Sequence, residues 1–162
     1  MVNTDEIIEI ESRPYGKIKI SAKQKVTFEE GLYGFEKEKV FYLLDMENDG
    51  PFYYLQSANS KDLAFVLINP YMFKPDFILD VSRSDLVKVG IEKEDDAEGK
   101  ILVFSIVTIP DNSQDMTANL LGPILINVET RLGVQALSLV ESYTTKHKIL
   151  EELSKSSGQG GA

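Results

Sequence analysis

Apolar and polar side chains alternate over much of this chain, and a period of two decides the class of fold it can form. Ile8 and Ile10 are set against Glu9 and Glu11. Ile18, Ile20 and Ala22 are then set against Lys17, Lys19 and Ser21, with Val26 and Phe28 following. Successive side chains of a strand point to opposite faces, so this pattern reads as half-buried strands. VFYLLD (40–45), FYYLQS (52–57), LAFVLIN (63–69), DFILDV (76–81), ILVFSIVTI (101–109), PILINVET (123–130) and VQALSLVESY (134–143) extend the series, rich in β-branched and aromatic residues. Asn-Asp-Gly-Pro, Asn-Ser-Lys-Asp and Asn-Pro punctuate several of them. LAFVLIN and ILVFSIVTI are apolar on both faces, which places them in the middle of the sheet.

Other stretches break the alternation. EEGLYGFE (29–36) sets Gly31 and Gly34 around Leu32 and Tyr33, a turn in which glycine supplies positive φ while bulky side chains are held out or folded under. Ser82 with Asp85 three residues on resembles a helix N-cap and predicts a short helical turn through Leu86 and Val87. GIEKEDDAEGK (90–100) reads as a hairpin-like acidic link. Tyr143, His147 and Leu150 fall at i, i+4 and i+7, with Ile149 and Leu153 beside them, so 143–155 is expected to be an amphipathic helix. SSGQGGA (156–162) reads as a flexible tail. About nine short strands and one late helix predict a mainly β fold, an antiparallel barrel or sandwich. We take it as a single β-barrel-like domain over 1–155, with the C-terminal helix capping or flanking the barrel.

Composition then removes classes of chemistry. The chain has no cysteine, which excludes disulfides, thiolate nucleophiles and cysteine-based metal sites. It has one histidine, His147, so multi-histidine metal sites are excluded too, and its place on the predicted apolar stripe favours packing over catalysis. The acids Glu92, Glu94, Asp95, Asp96 and Glu98 lack the spacing of a calcium loop and read as a solvated tip. Neither GxxxxGK[ST] nor GxGxxG occurs, so no phosphate cradle is indicated and no cofactor is expected. Lys17, Lys19, Lys23 and Lys25 read as a solvated sheet face. A formal charge of −9 argues against direct nucleic-acid binding and for a basic or apolar partner. The N-terminus carries acids where a signal peptide carries lysines, and no apolar run approaches roughly 18 residues. No membrane association and a cytoplasmic address are expected.

One segment raises the question of function most directly. MTANLLGPILIN (116–127) is apolar, with two asparagines and a Gly-Pro pair, and contains no acid, base or strong metal ligand. It either feeds a buried strand or forms a surface that grips another protein.

Three longer words, in order, carry a resemblance. FEEGLYGFE, FYYLQSAN followed by LAFVLINPYMF, and TANLLGPILINVETRLGVQAL, with ILVFSIVTIP before the last, closely resemble the bacterial flagellar assembly factor FliW family over roughly residues 5–145. The resemblance implies a small, cytoplasmic, β-barrel-like protein without enzymatic activity. It further implies two protein partners: the translational regulator CsrA, whose repression of flagellin mRNA is relieved, and the C-terminal region of flagellin, bound in a chaperone-like manner. The residues singled out for partner contact are Leu32, Tyr33 and Phe35 in the glycine turn, Tyr53, Leu55 and Gln56 in the central word, and Asn119, Leu120, Pro123 and Asn127 in the last. Core or turn duty competes with partner contact for these words, and for Ile124 and Ile126 core is favoured. A small β-barrel that encloses an apolar ligand is the alternative function.

Overall fold

The computed structural model of the chain describes residues 6–45, 51–93 and 99–160. Strands β1 (Ile7–Ser12) and β2 (Gly16–Ser21) form an antiparallel hairpin that stands as its own sheet. Its register accounts for the alternation. Ile8 pairs with Ile20 and Ile10 with Ile18, while Glu9 and Glu11 stand opposite Lys19 and Lys17. Apolar cross-strand pairs thus share one face and opposite charges the other.

The main sheet contains β3 (Lys25–Thr27), β4 (Val40–Leu44), β5 (Phe52–Ser57), β6 (Ala64–Ile68), β7 (Ile101–Thr108), β8 (Thr117–Ala118), β9 (Ile124–Asn127), β10 (Gly133–Gln135) and β11 (His147–Lys148). The path runs β3-β4-β5-β6-β7-β9-β10, every ladder antiparallel. Strands β6 and β7 lie in its middle, as their two-sided hydrophobicity predicts. One edge of β7 is shared: Ile101–Phe104 pairs with β9, and Val107–Thr108 pairs with β8, which also takes β11.

Both faces of the sheet are covered, which is why the central strands tolerate no polar alternation. On one face Val26, Phe28, Phe41, Leu55, Leu67, Phe104, Ile124 and Ile126 form a buried core. On the other, Ile68, Val107 and Ala118 pack with Phe73, Phe77, Leu120, Tyr143 and Ile149. A third cluster joins Leu125 and Val134 to Val81, Leu86 and Val89 around α1 (Arg83–Lys88). Gly133 is held to glycine by the first core, because a Cβ there would lie 2.5 Å from the Phe28 ring.

Several expectations are met. Ser82 caps α1, its side chain accepting from the Asp85 N–H. Gly31 and Gly34 take φ of 67° and 85°, and a bridge between Leu32 and Phe35 closes the turn. Ile124 and Ile126 lie in one core and Leu125 in another, so β9 alternates as read but is buried on both sides.

Other expectations need correction. No closed barrel forms among the described residues: β3 and the approach to β10 meet at one parallel bridge, Thr27 to Leu132, where a barrel needs a ladder. Arg131, at φ 59°, turns the chain there and accepts from the Thr27 N–H at 3.0 Å. The stretch 76–81 forms no strand, and the strand expected over 134–143 ends at Gln135. The C-terminal helix α2 spans Ile149–Gly160, so Tyr143 and His147 precede it, and the stretch read as a tail is helical through Gly160. The Asn-Asp-Gly punctuation at 48–50, and Glu94, Asp95, Asp96 and Glu98, lie outside the described residues.

Candidate functional site

Two of the three sequence words meet at one buried amide. Gln135 Oε1 accepts the Tyr33 N–H at 2.9 Å, and its Nε2 donates to the Gly122 carbonyl at 3.1 Å. The glycine turn and the Asn-Leu-Leu-Gly-Pro corner are thereby fixed to β10. Asn119 tightens that corner from within, its Oδ1 accepting the Gly122 N–H at 2.8 Å, the local turn chemistry expected of asparagine. Gln135 was not among the residues singled out from sequence. Its signal is a glutamine between Val134 and Ala136 in an apolar run, where burial obliges its amide to find partners.

The turn projects outward beside a cleft of about 280 Å³, lined by Glu29, Glu30, Leu32, Tyr33, Glu36 and Lys88 among others. Tyr33 is 62% exposed and Phe35 40%, the latter edge-on to Phe65 at 5.1 Å. Lys88 is committed to Glu30 at 3.0 Å and Asp85 at 3.5 Å. The hydrogen bond to Glu30 raises the Lys88 pKa against the opposing effect of burial. Glu29 and Glu36 remain as the negative rim.

The other candidates lie deeper. Leu32, Leu55 and Leu120 are core residues, and Pro123 is buried, its carbonyl accepting the Ala136 N–H. Tyr53 is half-buried against Phe104 at 4.9 Å. Gln56 is fully buried; it accepts the Arg13 N–H at 2.7 Å and donates into the carbonyls of 57–63, fastening the β1–β2 hairpin and the following loop to β5. Asn127 donates to the Val89 carbonyl at 2.7 Å and accepts the N–H groups of Glu129 and Thr130. Of the ten, Tyr33 and Phe35 are exposed where a partner can reach them, and the buried members shape the surface around them.

His147 belongs to a latch for α2. Its Nε2 accepts the Thr144 N–H at 2.9 Å, its ring meets Tyr143 edge-on, and Nδ1 faces Glu152 at 3.4 Å. Glu152 is also paired with Lys74 at 3.1 Å. Burial pulls the Glu152 pKa up, but hydrogen bonds from Lys74 and His147 and nearby positive charge outweigh it and leave the value lowered. Burial likewise pulls Lys74 down, and Glu152 and Asp76 reverse this. Among the described residues no three His, Cys, Asp or Glu side chains converge to hold a metal ion, and no helix is long and apolar enough to cross a membrane.

Comparison with known proteins agrees with this architecture of shaped loops on a buried sheet. The model of the FliW protein family matches residues 9–149. A flagellar assembly factor FliW of Leptospira interrogans (serogroup Icterohaemorrhagiae serovar Lai) is 42% identical over 145 residues, covering 89% of this chain and 94% of that protein. One from Alkaliphilus metalliredigens is 35% identical over 147 residues, covering 90% and 88%. A crystal structure of the flagellar assembly factor FliW superimposes with a TM-score of 0.77 at 39% identity, covering 88% of this chain and 96% of that one. The chain belongs to the FliW family of flagellar assembly factors, which are not enzymes.

Proposed function

We propose that this assembly factor works as a cytoplasmic partner switch: it binds CsrA, relieving repression of flagellin mRNA, and binds the C-terminal region of flagellin in a chaperone-like manner. The observation that carries this reading is the turn at 29–36, held by Gln135 so that exposed Tyr33 and Phe35 stand beside an acid-rimmed cleft. A fixed aromatic next to Glu29 and Glu36, which enter no ion pair among the described residues, suits a basic protein surface, so this cleft is assigned to CsrA. The overall charge of −9 assists the encounter by steering at low salt. The space between the curled strands is filled by Phe28, Phe41, Leu55 and their neighbours, so the reading rests on the outer surface and not on an enclosed ligand.

The test is titration of the full chain with purified CsrA and with a flagellin C-terminal peptide. Micromolar or tighter binding to both is expected, with the CsrA association rate falling as salt rises. Absence of binding to either partner overturns the proposal.

A further inference from the structure

Two stretches within segments expected to be strands, 77–81 and 136–140, form no ladder, and together they present an apolar strip that the proposed CsrA contact leaves unused. The Leu139 N–H donates to the Asp80 carbonyl at 2.8 Å, the Leu137 N–H to the Asp85 carboxylate at 3.2 Å, and the Ile78 N–H to the Tyr143 hydroxyl at 2.9 Å. As one number rises the other falls, so 77–81 and 136–140 run antiparallel, side by side, and a turn at 140–143 follows the second. Their side chains alternate accordingly. Leu79, Val81, Ala136 and Val140 turn inward onto the cores. Ile78, Leu137 and Leu139 turn outward, at 59%, 50% and 55% exposure.

The strip is rigid beneath and charged at its border. Phe77 stacks on Tyr143 at 5.5 Å, and the backbone N–H groups of 136–140 are each bonded to the body of the protein, apart from the local bond of Val140 to Ser138. Asp80, in the first stretch, and Glu141, in the turn after the second, are exposed and enter no ion pair among the described residues. Ordered leucines in water beside two free carboxylates favour a partner that is apolar along one line and positive at its edges. A second copy of this chain would set Asp80 and Glu141 against like charge, and an anionic surface would be repelled.

We infer that the strip formed by Ile78, Leu137 and Leu139, bordered by Asp80 and Glu141, is a docking surface for an amphipathic helix whose apolar stripe is flanked by lysine or arginine. Outward side chains two apart on an extended segment are separated by about 7 Å, close to the spacing of i and i+4 positions on a helix, so apolar rows on the two can interleave. The inference deepens the partner-binding reading and rests on it for a partner to exist, but it places this contact away from Tyr33.

The experiment uses the full chain and two fluorescein-labelled helical peptides of roughly 18 residues with the same leucine stripe, one bordered by lysines and one by glutamates. Anisotropy should show micromolar binding of the lysine peptide, weakened by salt, and at least about tenfold weaker binding of its glutamate twin. Leu139→Asp and the double variant Asp80→Lys/Glu141→Lys should each weaken the lysine peptide by about tenfold or more, and Ile7→Ala, which removes an exposed apolar side chain of the β1–β2 hairpin outside the strip, should leave it unchanged. Thermal melts confirm that the variants fold. Failure of the lysine peptide to bind, equal binding of the twin, or wild-type binding by folded strip variants overturns the surface. If CsrA and the flagellin peptide bind wild type and strip variants alike, the surface falls while the proposed function stands. If neither binds but the lysine peptide does, the partners fall while the surface stands.

Discussion

The backbone N–H of Tyr33 donates to the side-chain oxygen of Gln135 at 2.9 Å, across 102 positions of sequence. That bond decides where an exposed aromatic stands. Gln135 is itself positioned by its second bond, to the Gly122 carbonyl, so the turn at 29–36 and the corner at 119–123 form one mechanical unit on the edge of the sheet.

Replacing Gln135 with leucine leaves the Tyr33 N–H and the Gly122 carbonyl without their partner. Two partly buried groups orphaned together cost about 3 kcal/mol, and for a chain of this size the melting temperature falls by about 10 °C. Hydrogen exchange at the Tyr33 amide should accelerate beyond that of neighbouring turn amides. Gln135→Glu keeps an acceptor for Tyr33 but has no donor for Gly122, so a smaller loss is expected. Equal stability of wild type and Gln135→Leu in thermal melts would show that the two bonds do not hold the turn.

Ser105 offers the opposite case. Its hydroxyl is buried in β7, between the residues paired with β9 and those paired with β8, and no group among the described residues hydrogen-bonds to it. A buried hydroxyl without a partner costs desolvation and returns nothing. Ser105→Ala is expected to be neutral or to stabilise by up to about 1 kcal/mol, read as an unchanged or raised urea midpoint. A marked loss would mean that the hydroxyl has a partner in solution.

The sheet was legible in the sequence because its strands obey a period of two or are apolar throughout, and both patterns survive packing. Closure was not, since whether β3 and β10 join depends on one turn at Arg131 and on a glycine under Phe28. DFILDV and ALSLVES alternate as strands do, yet their N–H groups are taken by Tyr143, Asp85 and single carbonyls, which periodicity does not reveal. For the candidate site, the motif words mark two loops that the fold joins, but not the atoms that join them. Gln56 and Asn127 are polar, and so read as anchors for a partner, but burial turns their amides inward onto backbone. Gln135, the residue that joins two of the words, looked like any strand residue because its partners lie far away in sequence. His147 and Tyr143 do meet, ring to ring, without the helix that the spacing implied.

The latch on α2 sets a pH dependence. The Glu152 pKa is lowered in the folded state, so its contribution is present above the ordinary glutamate value of about 4.3 and is lost as pH falls through the lower folded value. The Lys74 pKa is raised, so its contribution is present below about 10.4 and is lost as pH rises through the higher folded value. Lys74→Met should therefore lower stability at pH 7 by about 2 kcal/mol and flatten the decline at both ends of the profile. Urea denaturation across acid and alkaline pH checks this. A variant curve running parallel to wild type would show that the Lys74–Glu152 pair does not carry the dependence.

The last prediction separates contact from core within the residues first singled out. Tyr33 is mostly exposed and its structural bond is made by the backbone, so Tyr33→Ala retains that bond and should change stability by no more than about 0.5 kcal/mol. If the acid-rimmed cleft receives CsrA, the same change should weaken that complex by about tenfold or more, chiefly through faster dissociation. Leu55 has no exposed surface, and Leu55→Ala should cost about 2–5 kcal/mol of stability. Its effect on CsrA should track the unfolded fraction and vanish at temperatures where the variant is fully folded. Kinetic binding measurements beside thermal melts distinguish the two. Undiminished CsrA affinity in folded Tyr33→Ala protein would move the contact away from the cleft, because Tyr33 is the most exposed large apolar side chain of the turn.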